Sequence, residues 1–272
     1  MLYKQQSFSN FEPDLRYLDS FPFSREEFLF FDIETTGFSP RNTSLYLIGA
    51  VCFLDEHWTF LQWFAETPSE ECEILNAFLA FCRSFSCSSF IFNGDGFDIP
   101  YLLFKAEKYT LSDTLSSMQS IDLYHLTRPY KKYLKLTHIN QKSLESFLGI
   151  EREDRYNGGE LIKIYQSYCQ LKDADALSLL LLHNLDDLKG MTKLLPLSCL
   201  SAVFERPGLY APESFLGRFC ERTAASDRRA GSEISCSKAD LQPAFLVLSY
   251  APGRHCQTDD LCFRGRIKVF HI

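Results

Sequence analysis

Four carboxylates and one imidazole fall in three ordered signatures: Phe-Phe-Asp32-Ile-Glu34-Thr-Thr-Gly, then Asn93-Gly-Asp-Gly-Phe-Asp98-Ile-Pro, then His183-Asn-Leu-Asp-Asp187. Clustered carboxylates are hard to explain by folding alone. Two unit negative charges about 4 Å apart repel by roughly 4 kcal/mol at an effective dielectric near 20. Four in one pocket raise one another's pKa values and ionise reluctantly unless cations neutralise them. Hard oxygen ligands select Mg²⁺ or Mn²⁺ over zinc. The chemistry this set could perform is metal-assisted hydrolysis of a phosphodiester.

Each signature must then be positioned by an element. Phe28 to Glu34 is a short apolar run ended by Thr35-Thr36-Gly37, the pattern of a buried strand. Side chains alternate along a strand, so Asp32 and Glu34 emerge on one face near its end. A second apolar run, Ser89-Phe90-Ile91-Phe92, leads through Asn93-Gly94 and Gly96 to Asp98, where a helix should begin. Asp is a preferred N-cap and Pro100 suits a first turn, so Asp98 taken alone could be only a cap. The third signature lies in a Leu-rich helical pattern from Ala176 to Leu195, stopped by Pro196. His183 and Asp187 are four residues apart and share a face. Asp186 points about 100° away around the helix and reads as a solvated or helix-supporting acid. Gly190 is a poor helix former that needs a packing reason.

The ordered blocks FDIETTG, FNGDGFDIPYL and HNLDDLKGM resemble the three exonuclease motifs of the DEDD superfamily, and most closely its YprB-type branch. The resemblance spans roughly residues 12 to 200, including the connecting segments SIDLYHL and KSLESFLGIEREDRYNGGELIKIY and the leader YLDSFPF. It implies an α/β RNase H-like fold, a mixed central sheet flanked by helices. It implies Asp32, Glu34, Asp98 and Asp187 as ligands for two Mg²⁺ or Mn²⁺ ions. It further implies stepwise 3′-5′ exonuclease action on DNA or RNA, with single-stranded 3′ ends as the partner. One branch of that superfamily has Tyr with three residues before the last Asp, and another has His with four. Here His183 combines the side chain of one with the spacing of the other. Oriented as in either, it would position or deprotonate the attacking water. An imidazole with a reference pKa near 6.5 suits that work near neutrality. Two other readings use the same residues: a nucleic-acid-binding module of the same fold that does not cut, and a structure-selective endonuclease. Loss of a metal carboxylate would mark the former, and all four positions here are acidic.

Composition sets the frame. The chain has 272 residues with 46% hydrophobic and 15% aromatic content, enough for one sizeable core with appendages. No apolar run reaches transmembrane length, and the first residues lack a signal peptide's apolar segment, so a cytoplasmic protein without membrane contact is expected. The ten cysteines contain no Cys-x-x-Cys pair; Cys52, Cys82 and Cys169 sit in apolar patterns and read as reduced small hydrophobes. The net charge of −7 argues against broad adhesion to nucleic acid, although the quartet itself supplies up to four of those negatives. The best basic stretch, Arg128-Pro-Tyr130-Lys131-Lys132-Tyr133-Leu-Lys135, interleaves cations with rings that could grip phosphates and stack bases, or could be an ordinary solvated face. Arg152-Glu-Asp-Arg155-Tyr156 is a weaker second stretch. Thr35, Asn93, Phe97, Arg128, Lys131, Lys132 and Tyr133 are the candidate substrate-binding residues.

The segment order completes the expectation. Residues 1–27 form an N-terminal lead-in, 28–200 the RNase H-like domain, and 201–272 a small, partly flexible extension. Leu45–Phe53 and Trp58–Phe64 read as paired strands around Asp55-Glu56-His57. Thr67-Pro-Ser-Glu70 predicts a capping box opening a helix with Ile74, Leu75, Phe78, Phe81 and Cys82 on its apolar face. A short strand is predicted at Ile121-Asp122-Leu123, where Asp122 and His125 read as structural rather than as supports of the site. Beyond Glu205 the periodicity fades; Thr223–Ser235 reads as an exposed segment, with further strands predicted at Ala244–Ser249 and Ile267–Ile272.

Overall fold

The computed structural model describes residues 1–9, 11–13, 24–84, 88–91 and 94–200. The extension 201–272, with its predicted strands, and Asn93 lie outside the described residues. Six strands form one sheet: β1 (Leu2–Ser7), β2 (Phe28–Thr35), β3 (Leu45–Leu54), β4 (His57–Phe64), β5 (Ser88–Ile91) and β6 (Gln119–Asp122). Their spatial order is β1-β4-β3-β2-β5-β6. The β1–β4, β4–β3 and β3–β2 pairs are antiparallel, whereas β2–β5 and β5–β6 are parallel. The sheet is therefore mixed, as the α/β expectation required. The edge strand β1 comes from the stretch read as a lead-in, and pairs residue for residue from Leu2 opposite Phe64 to Ser7 opposite Thr59.

The β3–β4 hairpin turns on two residues, Asp55 and Glu56, both with positive φ (48° and 64°). Two-residue hairpins favour such backbone because its twist matches that of the strands. Among the described residues there are six α-helices: α1 (Glu71–Arg83), α2 (Asp98–Lys108), α3 (Leu123–Thr127), α4 (Gln141–Phe147), α5 (Gly158–Leu171) and α6 (Ala174–Lys193). The predicted capping box before α1 does not form. A 3-10 turn, Pro68–Glu70, intervenes; the Thr67 hydroxyl bonds to that of Ser69, and Glu70 accepts from the Glu66 N–H. The proline turn separates the Thr/Glu pair from the helix start by one turn. The strand predicted at 121–123 ends one residue earlier, because Asp122 accepts from the Tyr124 N–H and starts α3.

Both faces of the central strands β2, β3 and β4 are buried, and β2 shows how. Leu29, Phe31 and Ile33 face a core shared with Ile74, Leu75 and Phe78 of α1 and Tyr101 and Leu102 of α2. Phe28 and Phe30 face the opposite core, with Leu144 of α4 and Leu185, Leu188 and Met191 of α6. Farther along that face, Tyr46, Leu47 and Phe64 meet Leu161, Tyr165 and Tyr168 of α5 and Leu180 and Leu181 of α6. Alternation carries the Phe28–Phe30 face on to Asp32 and Glu34, so the two acids emerge toward α6. Truncating a ring such as Phe30 to Ala would cost roughly 3–5 kcal/mol by the usual core scale.

Candidate functional site

The three signatures converge where β2 outruns its parallel partner. Among the described residues, β5 pairs with β2 as far as Phe30 opposite Phe90. Past that stretch the Ile33 N–H is taken by Asp98 Oδ1 at 3.2 Å. Asp98 opens α2, but Phe97 is the N-cap and no side chain caps the helix, so Asp98 is not spent as a cap. It is buried against β2 beside Asp32.

α6 crosses above the same strand. His183 Nε2 lies 3.1 Å from Asp187 Oδ2 and 3.4 Å from Glu34 Oε1. One ligand atom from each of Glu34, His183 and Asp187 falls within 4.8 Å of the others. Asp32 Oδ2 accepts from Asn184 Nδ2 at 3.0 Å. Asn184 is oriented in turn by Gln62, which donates to Asn184 Oδ1 at 3.0 Å and to the Leu181 carbonyl at 2.9 Å. Room for this amide pair comes from Gly49, which lies between Asp32 and Gln62 in register. A Cβ on Gly49 would sit 1.9 Å from Asn184 Oδ1.

A short segment before α5 closes the other side of α6. Arg152 Nη1 lies 2.7 Å from Asp187 Oδ1 and 2.9 Å from Glu145 Oε2. His183 Nδ1 is 2.5 Å from Asp154 Oδ2. Asp186 is buried, not solvated: its Oδ2 accepts from the N–H groups of Glu153 and Asp154, each at 2.8 Å. The packing reason for Gly190 is Glu145, whose Oε1 would lie 1.8 Å from a Cβ there. Sequence reasoning did not identify Gln62, Glu145, Asp154 or Asn184. Arg152 and Asp154 stood inside a stretch read as weakly basic, and Asn184 inside the third signature; a polar residue in a helix otherwise rich in Leu was the available signal.

Electrostatics follow from crowding. Burial, followed by the charges of Asp187, Glu34 and Asp98, pushes Asp32 well above the usual carboxyl range, against the pull of the Asn184 amide. Burial raises Glu34 to about 7 despite His183, and raises Asp98 to about 7 despite the Ile33 N–H. Burial would also raise Asp187, but the His183 hydrogen bond and charge, with Arg152, hold it below its ordinary value. For His183, burial favours the neutral ring. The hydrogen bond to Asp187 and the charges of Glu34, Asp187 and Asp154 outweigh it and raise the group to about 9. That is well above the ordinary imidazole value, because three carboxylates surround the ring.

The donor set fits divalent cations. Four carboxylates face two protein cations, His183 and Arg152, and three of the four are pushed toward protonation by burial and by the charges of neighbouring carboxylates. Side chains of Glu34 and Asp187 keep 13% and 15% of their surface open, so the cluster is enclosed but not sealed.

The other candidates are scattered. Thr35 bonds to the Gly37 carbonyl at 2.9 Å. Phe97 packs edge-on against Phe38, a ring 90% exposed at the same end of β2. Arg128, Lys131, Lys132 and Tyr133 are exposed between α3 and α4, with Arg128 over the Tyr124 ring. Asp122 accepts from the N–H groups of Asp95 and Tyr124, the structural role expected of it.

No curated protein matches the sequence. Among solved structures, Escherichia coli exonuclease I with a dT13 oligonucleotide is 15% identical (TM-score 0.42), covering 65% of this chain and 42% of that one. An ExoI/SSB-Ct complex is 14% identical (TM-score 0.38; 57% and 43% covered), and the apo form of a nuclease 16% identical (TM-score 0.34; 69% and 90% covered). The chain thus spans less than half the length of the exonuclease I chains it matches, and likeness at this level carries no argument about activity. Among the described residues, no helix is long and apolar enough to cross a membrane. The sheet that sets acids at the end of β2 against α6 coincides with the match to a family model over residues 29–197. The chain belongs to the RNase H superfamily.

Proposed function

We propose that the protein is a metal-dependent nuclease of the DEDD type, in the YprB-type branch, removing nucleotides from single-stranded 3′ ends of DNA or RNA. The observation that carries the reading is the Glu34–His183–Asp187 group, within 4.8 Å, beside Asp32 and Asp98 in one enclosed, charge-deficient pocket. Such a pocket has little use in folding, since each acid raises the others' cost of ionisation. Asp32, Glu34, Asp98 and Asp187 would hold two Mg²⁺ or Mn²⁺ ions. Bound there, such ions supply activation of water and stabilisation of charge on the phosphoryl and leaving oxygens.

The chain's own residues do the rest. Asn184 and the Ile33 N–H fix the orientations of Asp32 and Asp98. Arg152 holds one oxygen of Asp187, leaving the other toward the pocket. His183 Nε2 faces the carboxylate cluster, where it would take a proton from the attacking water. Phe97, Thr35 and the Arg128–Tyr133 stretch are the candidate grips on the substrate, the rings by stacking and the cations by phosphate contact. Cys52, Cys72, Cys82 and Cys169 are thiols outside any disulfide, which suits a reducing compartment such as the cytoplasm.

The test uses end-labelled linear and circular single strands of DNA and RNA, with and without Mg²⁺ or Mn²⁺. Metal-dependent release of mononucleotides from linear strands, with circles resistant, is the expected result. Cutting of circles would replace the exonuclease by an endonuclease. No cleavage under any condition would favour a binding module.

A further inference from the structure

Residues 152–154 and α6 are joined by four consecutive contacts: Arg152 to Asp187, the N–H groups of Glu153 and Asp154 to Asp186, and Asp154 to His183. The last contact is the informative one. The Asp154 side chain is fully buried, and its Oδ2 meets His183 Nδ1 at 2.5 Å. Its Oδ1 accepts from the Tyr156 N–H at 3.0 Å. Lys142 Nζ and Arg152 Nη2 each approach Oδ2 at 3.6 Å. A buried carboxylate is costly unless paired, so the fold commits substantial local machinery to placing one behind this ring. It is also the face of the imidazole turned away from Glu34 and Asp187.

We propose that Asp154 is a positioning residue, whose carboxylate holds the Nδ1–H of His183 so that Nε2 presents its lone pair to the attacking water. This rests on the hydrolytic reading above. A carboxylate can only accept here, so the proton of a neutral imidazole is kept at Nδ1 and Nε2 is left as the acceptor. Asp186 contributes indirectly: by holding the N–H groups of residues 153 and 154, it ties Asp154 to the helix that carries His183, one turn away.

Asp154→Asn tests this. The Asn oxygen can keep the Tyr156 N–H, which turns its NH₂ toward His183 Nδ1. Nδ1 must then accept, the proton moves to Nε2, and the acceptor facing the water is lost. The comparable change behind a catalytic histidine elsewhere lowers kcat by about 10⁴-fold, and loss of a general base typically costs about 10²–10⁴-fold. A fall of that size in kcat, with KM within about threefold, is expected. In the double variant with His183→Ala, Asp154→Asn should add no further loss, since the two residues act as one unit.

A second readout needs no turnover. In ¹H NMR of the Mg²⁺-loaded protein, the His183 Nδ1–H should resonate far downfield, and should vanish in both Asp154→Asn and His183→Ala. A kcat within about threefold of native in Asp154→Asn, or full multiplication of the two losses in the double variant, would overturn the proposal. If Asp154→Asn does not fold, absence of the downfield proton from the native protein does the same. A native protein inert toward every nucleic acid would instead overturn the hydrolytic reading and the catalytic part of this proposal. The proton would still report whether Asp154 holds Nδ1.

Discussion

Among the described residues, two groups each bring two carboxylates and one histidine within 4.8 Å: Glu34, His183 and Asp187 in one, Asp95, Asp122 and His125 in the other. Their donor types are alike and their chemistry is not. In the second group the acids are already engaged. Asp122 accepts from the N–H groups of Asp95 and Tyr124, Asp95 accepts from the Ser120 hydroxyl at 2.6 Å, and His125 is 52% exposed. In the first group, among the described residues, no backbone N–H bonds to the three ligand atoms, the site is enclosed, and two further acids stand beside it. A carboxylate used as a cap is neutralised by peptide dipoles. One enclosed with other carboxylates holds acceptor capacity in reserve, and that reserve is what a cation would use.

Mutating the two groups in parallel would break or sharpen this contrast. Asp187→Ala should reduce nuclease activity to background, because the remaining acids are poorly matched to two cations. Next in size, His183→Ala should lower kcat by about 10²–10⁴-fold while leaving metal binding, followed by Mn²⁺ titration, largely intact. His125→Ala should change the rate by less than about threefold, the scale expected of a surface position. The wild-type rate should climb with pH as His183 becomes neutral, and His183→Ala should flatten that climb. Equal losses from His125→Ala and His183→Ala would abolish the distinction.

The pattern of what was legible follows the same division. Strand alternation was enough to put Asp32 and Glu34 on one face, and helical spacing enough to pair His183 with Asp187, because both are periodic properties of single elements. The Phe28–Phe30 run, the β3–β4 hairpin and the α1 face were readable for the same reason. Partners contributed by other elements were not. Nothing in the local pattern says that Glu145 fills the notch at Gly190, that Gln62 reaches across Gly49 to Asn184, or that Asp154 stands behind His183. These contacts depend on how α4, the 152–154 segment and β4 pack around α6. The Thr67 capping box failed on a finer point: the motif was present, but a proline turn displaced it from the helix.

The pH dependence of stability gives a third and smaller effect, with a sign set by both kinds of group. Glu34 and Asp98 rise from ordinary carboxyl values to about 7 in the fold, so the native state keeps protons that the unfolded chain releases. Their favourable contribution is complete below the unfolded values and is lost as pH rises toward 7. His183 is raised to about 9; its contribution is complete below 6.5 and is lost as pH rises through 9. Both trends make the metal-free site less stabilising between about pH 5 and pH 9. Cations supply the missing charge and bind better as those protons leave. The gap in Tm between Mg²⁺-loaded and EDTA-treated protein should therefore widen across that range. A gap independent of pH would mean that the cluster does not bind Mg²⁺. In Asp187→Ala the gap should largely close.

The smallest expected effect falls on the second group, and it concerns stability rather than rate. Asp122→Ala removes the acceptor for the Tyr124 N–H at the start of α3 and for the Asp95 N–H in the turn leading to α2. Loss of a helix cap costs about 0.5–2 kcal/mol. A second backbone N–H left without its partner adds about 1 kcal/mol where water cannot replace it. On a chain of this size, such a loss lowers Tm by a few degrees, about 2–4 °C per kcal/mol. The shift should be nearly the same with Mg²⁺ and with EDTA, since these acceptors serve the backbone and not a cation. Asp122→Asn, which keeps one acceptor oxygen for the Tyr124 N–H, should recover part of the loss. If Asp122→Ala instead reduced Tm only in the presence of Mg²⁺, the Asp95–Asp122–His125 group would be a cation site, and the contrast between the two clusters would disappear.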